Sequence, residues 1–241
     1  MSAILEIKDL YGGYEKDAMI LQGISMTIEG GEAVGIIGLN GSGKSTLGKA
    51  IMNLLPYRSG ELFAKGKPIH MKTTEELSRS GIVLMLQGGA VFPTLSVYDN
   101  LQLAFHDNNG NNYATALKKI IPLLDEPVRQ QQRTMADRLS GGQRHQLALA
   151  MALAQQPWLL ILDEPSAGLS PAAVDEMYAM LGQIRKEFGI SFLLIEQNIS
   201  RAVSFCDRCL VLNLGQITKS INKDNYKNIT EYFMSIKFFV S

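Results

Sequence analysis

The chain has 241 residues, and its 23 Lys and Arg are matched by 23 Asp and Glu for a formal net charge of zero, so its surface offers no global field for nucleic acid. A hydrophobic content of 46% belongs to a cored globular protein, not a disordered one. The densest apolar run, Leu147 to Ala154, is far shorter than the ~18 residues a membrane span needs. The start, Met1 to Glu6, lacks the basic residues and long apolar stretch of a signal peptide, so a cytosolic protein is expected.

In chain order, Ala3, Leu5 and Ile7 alternate with Ile4, Glu6 and Lys8, the pattern of a half-buried strand, and Tyr11-Gly12-Gly13-Tyr14 is expected to break it. A second strand is predicted through Leu21 to Ile28, and Glu29 to Glu32 turns into a third, Ala33 to Ile37. The beginning is thus β-rich and antiparallel in character. Next comes Gly38-Leu39-Asn40-Gly41-Ser42-Gly43-Lys44-Ser45-Thr46, followed by a helix expected from Leu47 to Leu55 and closed by Pro56. Strand, glycine turn and helix form the setting in which G-x-x-x-x-G-K-[ST] is a phosphate loop. Glycines let successive N–H groups point inward, and the helix N-terminus adds partial positive charge to the same hollow. Lys44 can neutralise the β/γ-phosphates, and the Ser45 hydroxyl can ligate Mg²⁺.

After a turn and short strand at Tyr57 to Leu62, the apolar run Gly81 to Leu86 predicts a buried strand that delivers Gln87 at its end, then a loop from Gly88 to Pro93. From Thr94 the character turns helical. Ser96 to Asp99 resembles a helix start, Leu101, Ala104 and Phe105 share a face, His106 to Asn112 is an Asn/Gly-rich connector, and Leu117, Ile120, Ile121 and Leu124 follow helical spacing. Pro127 and Gln130-Gln131-Gln132-Arg133 lead out. A single domain over 1–241 is expected, with an α/β core at 1–87 and 144–241 and a helical lobe inserted at about 94–143.

The second half alternates helix and strand. A helix is predicted from Gln143 to Gln155, stopped by Pro157; a strand, Trp158 to Leu162, ends in Asp163-Glu164-Pro165; Ser170-Pro171 opens the next helix, with Val174, Met177, Tyr178, Leu181, Arg185 and Phe188 on one face; and Ile190 to Ile195 is another buried strand, ending in Glu196-Gln197. Such alternation implies a parallel sheet with its chemistry at the carboxyl ends of the strands. Asp163 is suited to hold Mg²⁺ through water, and Glu164 to act as general base on a water aligned with a γ-phosphate. Ser140 and Gln143 of Leu139-Ser140-Gly141-Gly142-Gln143 satisfy a capping box and place two glycines in the first helical turn, a second anion-binding terminus. Cys206 and Cys209 have C-x-x-C spacing, but two thiols cannot close a tetrahedral zinc site and no His is nearby, so buried structural thiols are expected.

The phosphate loop, Gln87, Leu139 to Gln143, Leu159 to Pro165 and Ser166 to Ser170 come in the order and spacing of ATP-binding cassette (ABC) ATPases, which the chain resembles over almost its whole length. The resemblance implies a P-loop NTPase fold of ABC type: a mixed sheet with an N-terminal antiparallel β subdomain and an inserted helical lobe. It implies a head-to-tail dimer, with itself or a second cassette, in which two ATPs lie between one subunit's phosphate loop and the other's signature helix. Tyr14 would stack on adenine, Gln87 would touch Mg²⁺ and the attacking water, and Ser140, Gly141, Gly142 and Gln143 would clasp the partner's γ-phosphate. Two positions depart from the pattern. The switch histidine is Gln197, whose amide donates a hydrogen bond without charge. The acidic D-loop residue is Ser170, which keeps the N-cap but loses the carboxylate.

Ile195-Glu196-Gln197-Asn198, Gly168 to Pro171 and Asp207 to Leu212 resemble the ATPase subunits of branched-chain amino acid importers, where Gln at the switch is usual, although that subgroup often carries Glu at the position of Gln87 and has a longer lobe. Separate transmembrane permeases and a solute-binding protein are then the implied partners, nucleic acid is not, and the ATPase would sit in the cytoplasm against the inner face of the cell membrane. Permease helices would dock between core and lobe, where Val91, Phe92 and Pro93 are candidates. The alternatives are a soluble, non-transport ABC ATPase and a weakly hydrolysing regulatory subunit. A small-molecule kinase leaves Leu139 to Gln143 unexplained.

Overall fold

A computed structural model describes residues 3–105, 113–130 and 132–222 of the chain. The connector expected at His106 to Asn112, and Gln131 of the exit run, lie outside the described residues.

Ala3–Glu15 (β1) and Ala18–Glu29 (β2) form an antiparallel pair. β1 runs through Tyr11-Gly12-Gly13-Tyr14, where a break was expected. A Cβ on Gly12 would stand 2.9 Å from Leu55 Cδ1, and one on Gly13 2.6 Å from the Ala18 carbonyl oxygen. These glycines let neighbouring chains approach closely and do not end the strand. Ala33–Ile37 (β3) enters a second sheet, and Lys44–Ile51 (α1) follows the glycine loop. The helix thus begins three residues before its predicted start, so Lys44 and Ser45 belong to its first turn. Tyr57–Ala64 (β4) returns to pair with β1, and Lys67–Pro68 (β5) completes a four-stranded sheet of order β2-β1-β4-β5.

Thr74–Arg79 (α2) was not foreseen, although Thr73 and Glu76 form a reciprocal capping box that the sequence displays. Ile82–Met85 (β6) follows. Between β6 and the next strand lie Val97–Ala104 (α3), Tyr113–Ile120 (α4), Glu126–Gln130 (α5) and Gly141–Ala154 (α6). The helical spacing expected to reach Leu124 stops at Ile120, and Ile121–Leu123 tightens into a 3₁₀ turn containing Pro122. Proline has no N–H for the i→i−4 ladder, so the helix cannot continue through it.

Leu159–Asp163 (β7), Pro171–Phe188 (α7), Ser191–Glu196 (β8), Ile199–Phe205 (α8), Arg208–Asn213 (β9) and Gln216–Asn222 (β10) complete the described fold. The second sheet has the order β10-β9-β3-β8-β7-β6, parallel except for β10 against β9. Both of its faces are covered, which explains the unbroken apolar runs in β3, β7 and β8. Val34, Ile36, Ile161 and Ile195 join an apolar cluster with α1 and the antiparallel sheet. Leu160, Leu162, Phe192 and Leu194 join another with α6 and α7, and that cluster takes in Val97, Leu101, Leu117 and Ile120 of the helical segment.

Arg185, the one charged residue on the inner face of α7, pairs with Asp207 and donates to the carbonyls of Gly31 (3.2 Å) and Phe205 (3.3 Å), stapling α7 to the edges of β3 and β9. Cys206 and Cys209 are fully buried, and a Cβ on Gly35 would lie 2.7 Å from Cys209 Sγ. Hydrogen bonding between the thiols, together with burial, pushes the Cys206 thiol far above its ordinary range, so it stays protonated and inert.

Candidate active site

The loop between β3 and α1 needs glycine for two separate reasons. A Cβ on Gly38 would fall 2.2 Å from the Leu212 carbonyl oxygen, so only a bare backbone fits beneath β9. Gly43 caps α1 with φ 103°, which side chains do not tolerate. The result is a hollow at a helix N-terminus, where the first N–H groups have no intrahelical acceptor. Lys44 is buried there, its Nζ donating to the carbonyls of Gly38 (3.0 Å) and Leu39 (2.9 Å). Burial lowers its pKa below the usual ammonium range, against the raising effect of Glu164, Asp163 and Glu196.

Asn40, Gly41, Gly43, Lys44, Ser45 and Thr46 line a cleft at this loop, and Gln87, Glu164 and Gln197 close its far side. Ser42 is buried beneath it. Parallel pairing explains the convergence: Gln87 follows β6, Asp163 ends β7 with Glu164 directly after it, and Gln197 follows β8, all at the carboxyl edge beside the loop after β3.

Glu164 lines the cleft and Asp163 reaches Ser45 at its wall, although neighbouring side chains in a strand point to opposite faces. Glu164 has φ 48°, a left-handed backbone that breaks the alternation. Its N–H donates to the Ile195 carbonyl (2.9 Å), and its carboxylate accepts from Gln87 Nε2 (3.2 Å) and Gln197 Nε2 (2.6 Å). Asp163 accepts from Ser45 Oγ at 2.8 Å. Burial pushes the Asp163 carboxyl above the usual carboxylate range, while the Ser45 hydrogen bond and the Lys49 and Lys44 charges pull it back.

Other predicted residues stand apart from this cleft. Tyr14 is half-exposed on β1, its hydroxyl accepting from Lys49 Nζ (3.3 Å), which also lies 5.7 Å from its ring centroid. Ser140 caps α6, its Oγ accepting from Gln143 N (3.2 Å) while Gln143 Oε1 accepts from Ser140 N (2.9 Å). Gly141 and Gly142 form the first turn, and none of these four residues lines the cleft. Ile20, which sequence reasoning passed over, does line it, from β2. Its apolar, strand-like setting carries no signal that separates it from a core residue.

Residues 21–167 match the ABC transporter family. The chain belongs to this family. The high-affinity branched-chain amino acid transport ATP-binding protein BraG of Pseudomonas aeruginosa is 31% identical over 209 residues, 87% of this chain and 89% of BraG. The lipopolysaccharide export system ATP-binding protein LptB of Escherichia coli is 28% identical over 216 residues, 89% of each chain. The solved ADP conformation of an ATP-binding cassette of an ABC transporter matches with a TM-score of 0.84 over the full length of both chains, at 25% identity. This ABC chain is accordingly an ATP-binding, ATP-hydrolysing transporter subunit with the fold that the resemblance implies.

The buried Asp163 of this ABC cassette has a consequence for stability. A carboxyl whose folded pKa lies above its unfolded one weakens the fold once pH rises past the unfolded value, because the charged form is disfavoured inside. Asp163→Asn keeps an acceptor for Ser45 and removes that penalty. The nucleotide-free variant is expected to melt about 2 °C higher than the parent at pH 7. The difference should shrink as pH falls toward the carboxyl range, where the parent's Asp163 is itself protonated. Thermal denaturation at pH 7 and pH 5 checks both statements.

Proposed function

We propose that the chain powers import of amino acids or related small polar solutes, working as one of two cassettes beneath transmembrane permeases. The observation that carries the hydrolytic part is the Glu164 carboxylate, held between the Gln87 and Gln197 amides at the rim of the phosphate loop. In this reading Gly38 to Thr46 wrap the phosphates of ATP, Lys44 neutralises them, and Tyr14 receives the adenine. Ser45, Asp163 and the amide oxygen of Gln87 are hard oxygen donors, the set that suits Mg²⁺ together with phosphate and water. When bound there, Mg²⁺ supplies charge neutralisation of the triphosphate. Glu164 takes the proton of the water whose oxygen bonds the γ-phosphorus as the bond to the bridging oxygen breaks, and Gln197 fixes the carboxylate that does so. Ser140, Gly141, Gly142 and Gln143 point to a second cassette, like or unlike, whose γ-phosphate they would cover with the bare N-terminus of α6.

The importer part is supported by the 31% identity to BraG and by the Gln at position 197. No helix among the described residues is long and apolar enough to cross a membrane, in keeping with a peripheral subunit on the inner face of the membrane served by a separate solute-binding protein. The core at 1–87 and 144–241, with the lobe at about 94–143, leaves a contact surface at Phe92. Val91 packs partly against the core, whereas Phe92 is half-exposed, with its backbone held by Asn100: Phe92 N donates to Asn100 Oδ1 (2.8 Å) and Asn100 Nδ2 donates to the Phe92 carbonyl (3.0 Å). Phe92→Asp is expected to leave basal ATP hydrolysis of the purified chain unchanged. In cells it should abolish uptake of the transported solute, screened first with labelled branched-chain amino acids. Unimpaired uptake with normal hydrolysis would remove the docking surface, and parental uptake of every solute tried in cells lacking the chain would remove the importer reading.

A further inference from the structure

Glu196 is the last residue of β8 and lies on the opposite side of the sheet from Ile195, which packs over α1. It is 2% exposed, and the proposed chemistry does not use it. A buried carboxylate is tolerated only when its oxygens are fully supplied with donors. One oxygen, Oε1, accepts from Ser166 Oγ (2.6 Å) and Tyr178 OH (3.0 Å). The other, Oε2, accepts from the backbone N–H groups of Gln197 (3.0 Å) and Asn198 (3.2 Å).

These four donors come from two places. Ser166 lies in the segment leading away from Glu164, and Tyr178 is on α7 behind it. Gln197 and Asn198 form the turn into α8, which Asn198 caps by accepting from Arg201 N (3.2 Å). Arg201 stacks over the Tyr178 ring at 5.8 Å and pairs with Asp175 of α7 (2.5 Å), so the α8 and α7 sides are tied a second time at the surface. The backbone that presents the Gln197 amide, 2.6 Å from Glu164 Oε1, is therefore held by the same buried group that holds the segment after Glu164.

We infer that Glu196 is a positioning residue: its carboxylate fixes the turn that aims Gln197 at Glu164 and locks that turn to the Ser166 segment. The inference rests on the reading of Glu164 as the base. An apolar side chain at 196 removes the one acceptor that the N–H groups of Gln197 and Asn198 share, so the turn is no longer fixed and the Gln197 amide leaves its acceptor. Glutamine at 196 avoids this. Its amide oxygen can accept from the two N–H groups, while its NH₂ donates to the hydroxyls of Ser166 and Tyr178, which accept as readily as they donate.

The test is steady-state ATP hydrolysis by the full chain. Glu196→Leu is expected to lower kcat on the order of tenfold or more with KM for ATP little changed, because a misplaced group costs turnover and not binding. Glu196→Gln should restore most of it. In a Gln197→Ala background, Glu196→Leu should cost nothing further, since the residue acts through Gln197. If Glu196→Leu is not recovered folded, the Ser166→Ala, Tyr178→Phe pair loosens the same carboxylate from the other end, with the same dependence on Gln197. Unchanged kcat in Glu196→Leu, or an equal loss with and without Gln197, overturns the inference. A Glu164→Gln variant that still hydrolyses ATP overturns the reading beneath it instead; an inactive Glu164→Gln beside an unaffected Glu196→Leu overturns this inference alone.

Discussion

Replacing Glu164 by glutamine is expected to lower kcat for ATP by on the order of 10²-fold or more while leaving the affinity for ATP nearly intact. The volume is unchanged, but an amide cannot take a proton from water. Nor does it match its neighbours, because Gln87 Nε2 donates to Oε2 and Gln197 Nε2 to Oε1, and in glutamine one of those two oxygens becomes an NH₂ that faces a donor. With hydrolysis stopped and the phosphate loop untouched, two copies should stay closed around bound ATP. Light scattering with and without ATP would show a dimer that persists in the variant and decays in the parent. Turnover near the parental rate would remove Glu164 from the chemistry.

Gly141→Asp should separate folding from activity in the opposite sense. A Cβ on Gly141 meets nothing within 4 Å, so the first turn of α6 has room for a side chain. A carboxylate there faces the positive end of the helix dipole, worth roughly 0.3–1 kcal/mol, and glycine's backbone entropy cost is relieved as well. The variant is expected to melt no lower than the parent. Its hydrolysis should nonetheless fall by roughly 10²-fold, because a negative charge would occupy the place proposed for the other copy's γ-phosphate. ATP-driven association should vanish with it. Gly142 is a poorer test, since its Cβ would press to 3.2 Å from Ala173 Cβ and disturb packing against α7. A destabilised Gly141→Asp with normal turnover would count against both the geometry and the role.

Much of this architecture was legible because one pattern dominates each piece. The runs in β3, β7 and β8 are apolar throughout because helices cover both faces of the sheet, and their ends deliver Lys44, Asp163, Glu164 and Gln197 to one edge. The caps at Ser140 and Ser170 were equally plain, since a hydroxyl before a first turn has few other uses. The misses have physical causes too. Glycines at 12 and 13 looked like punctuation but serve close approach of Leu55 and the β2 backbone, a long-range fact. α8 is only seven residues long, too short for periodicity to register. The edge strand β10 was missed because Gln216–Asn222 presents mostly exposed residues. In the site, Glu196 and Ile20 were invisible: the first reads as a strand-end charge and the second as core, and only the fold brings Ser166 and Tyr178 to one and the phosphate loop to the other.

The left-handed backbone at Glu164 sets two kinds of fitness against each other at one codon. Glycine would occupy that conformation without strain and remove a carboxylate from a crowded place, so a library selected only for surviving heat should drift toward it. A library selected for ATP hydrolysis should hold the acid. Two screens of the same gene, diverging at this single triplet, would show how far the chain has traded robustness for turnover.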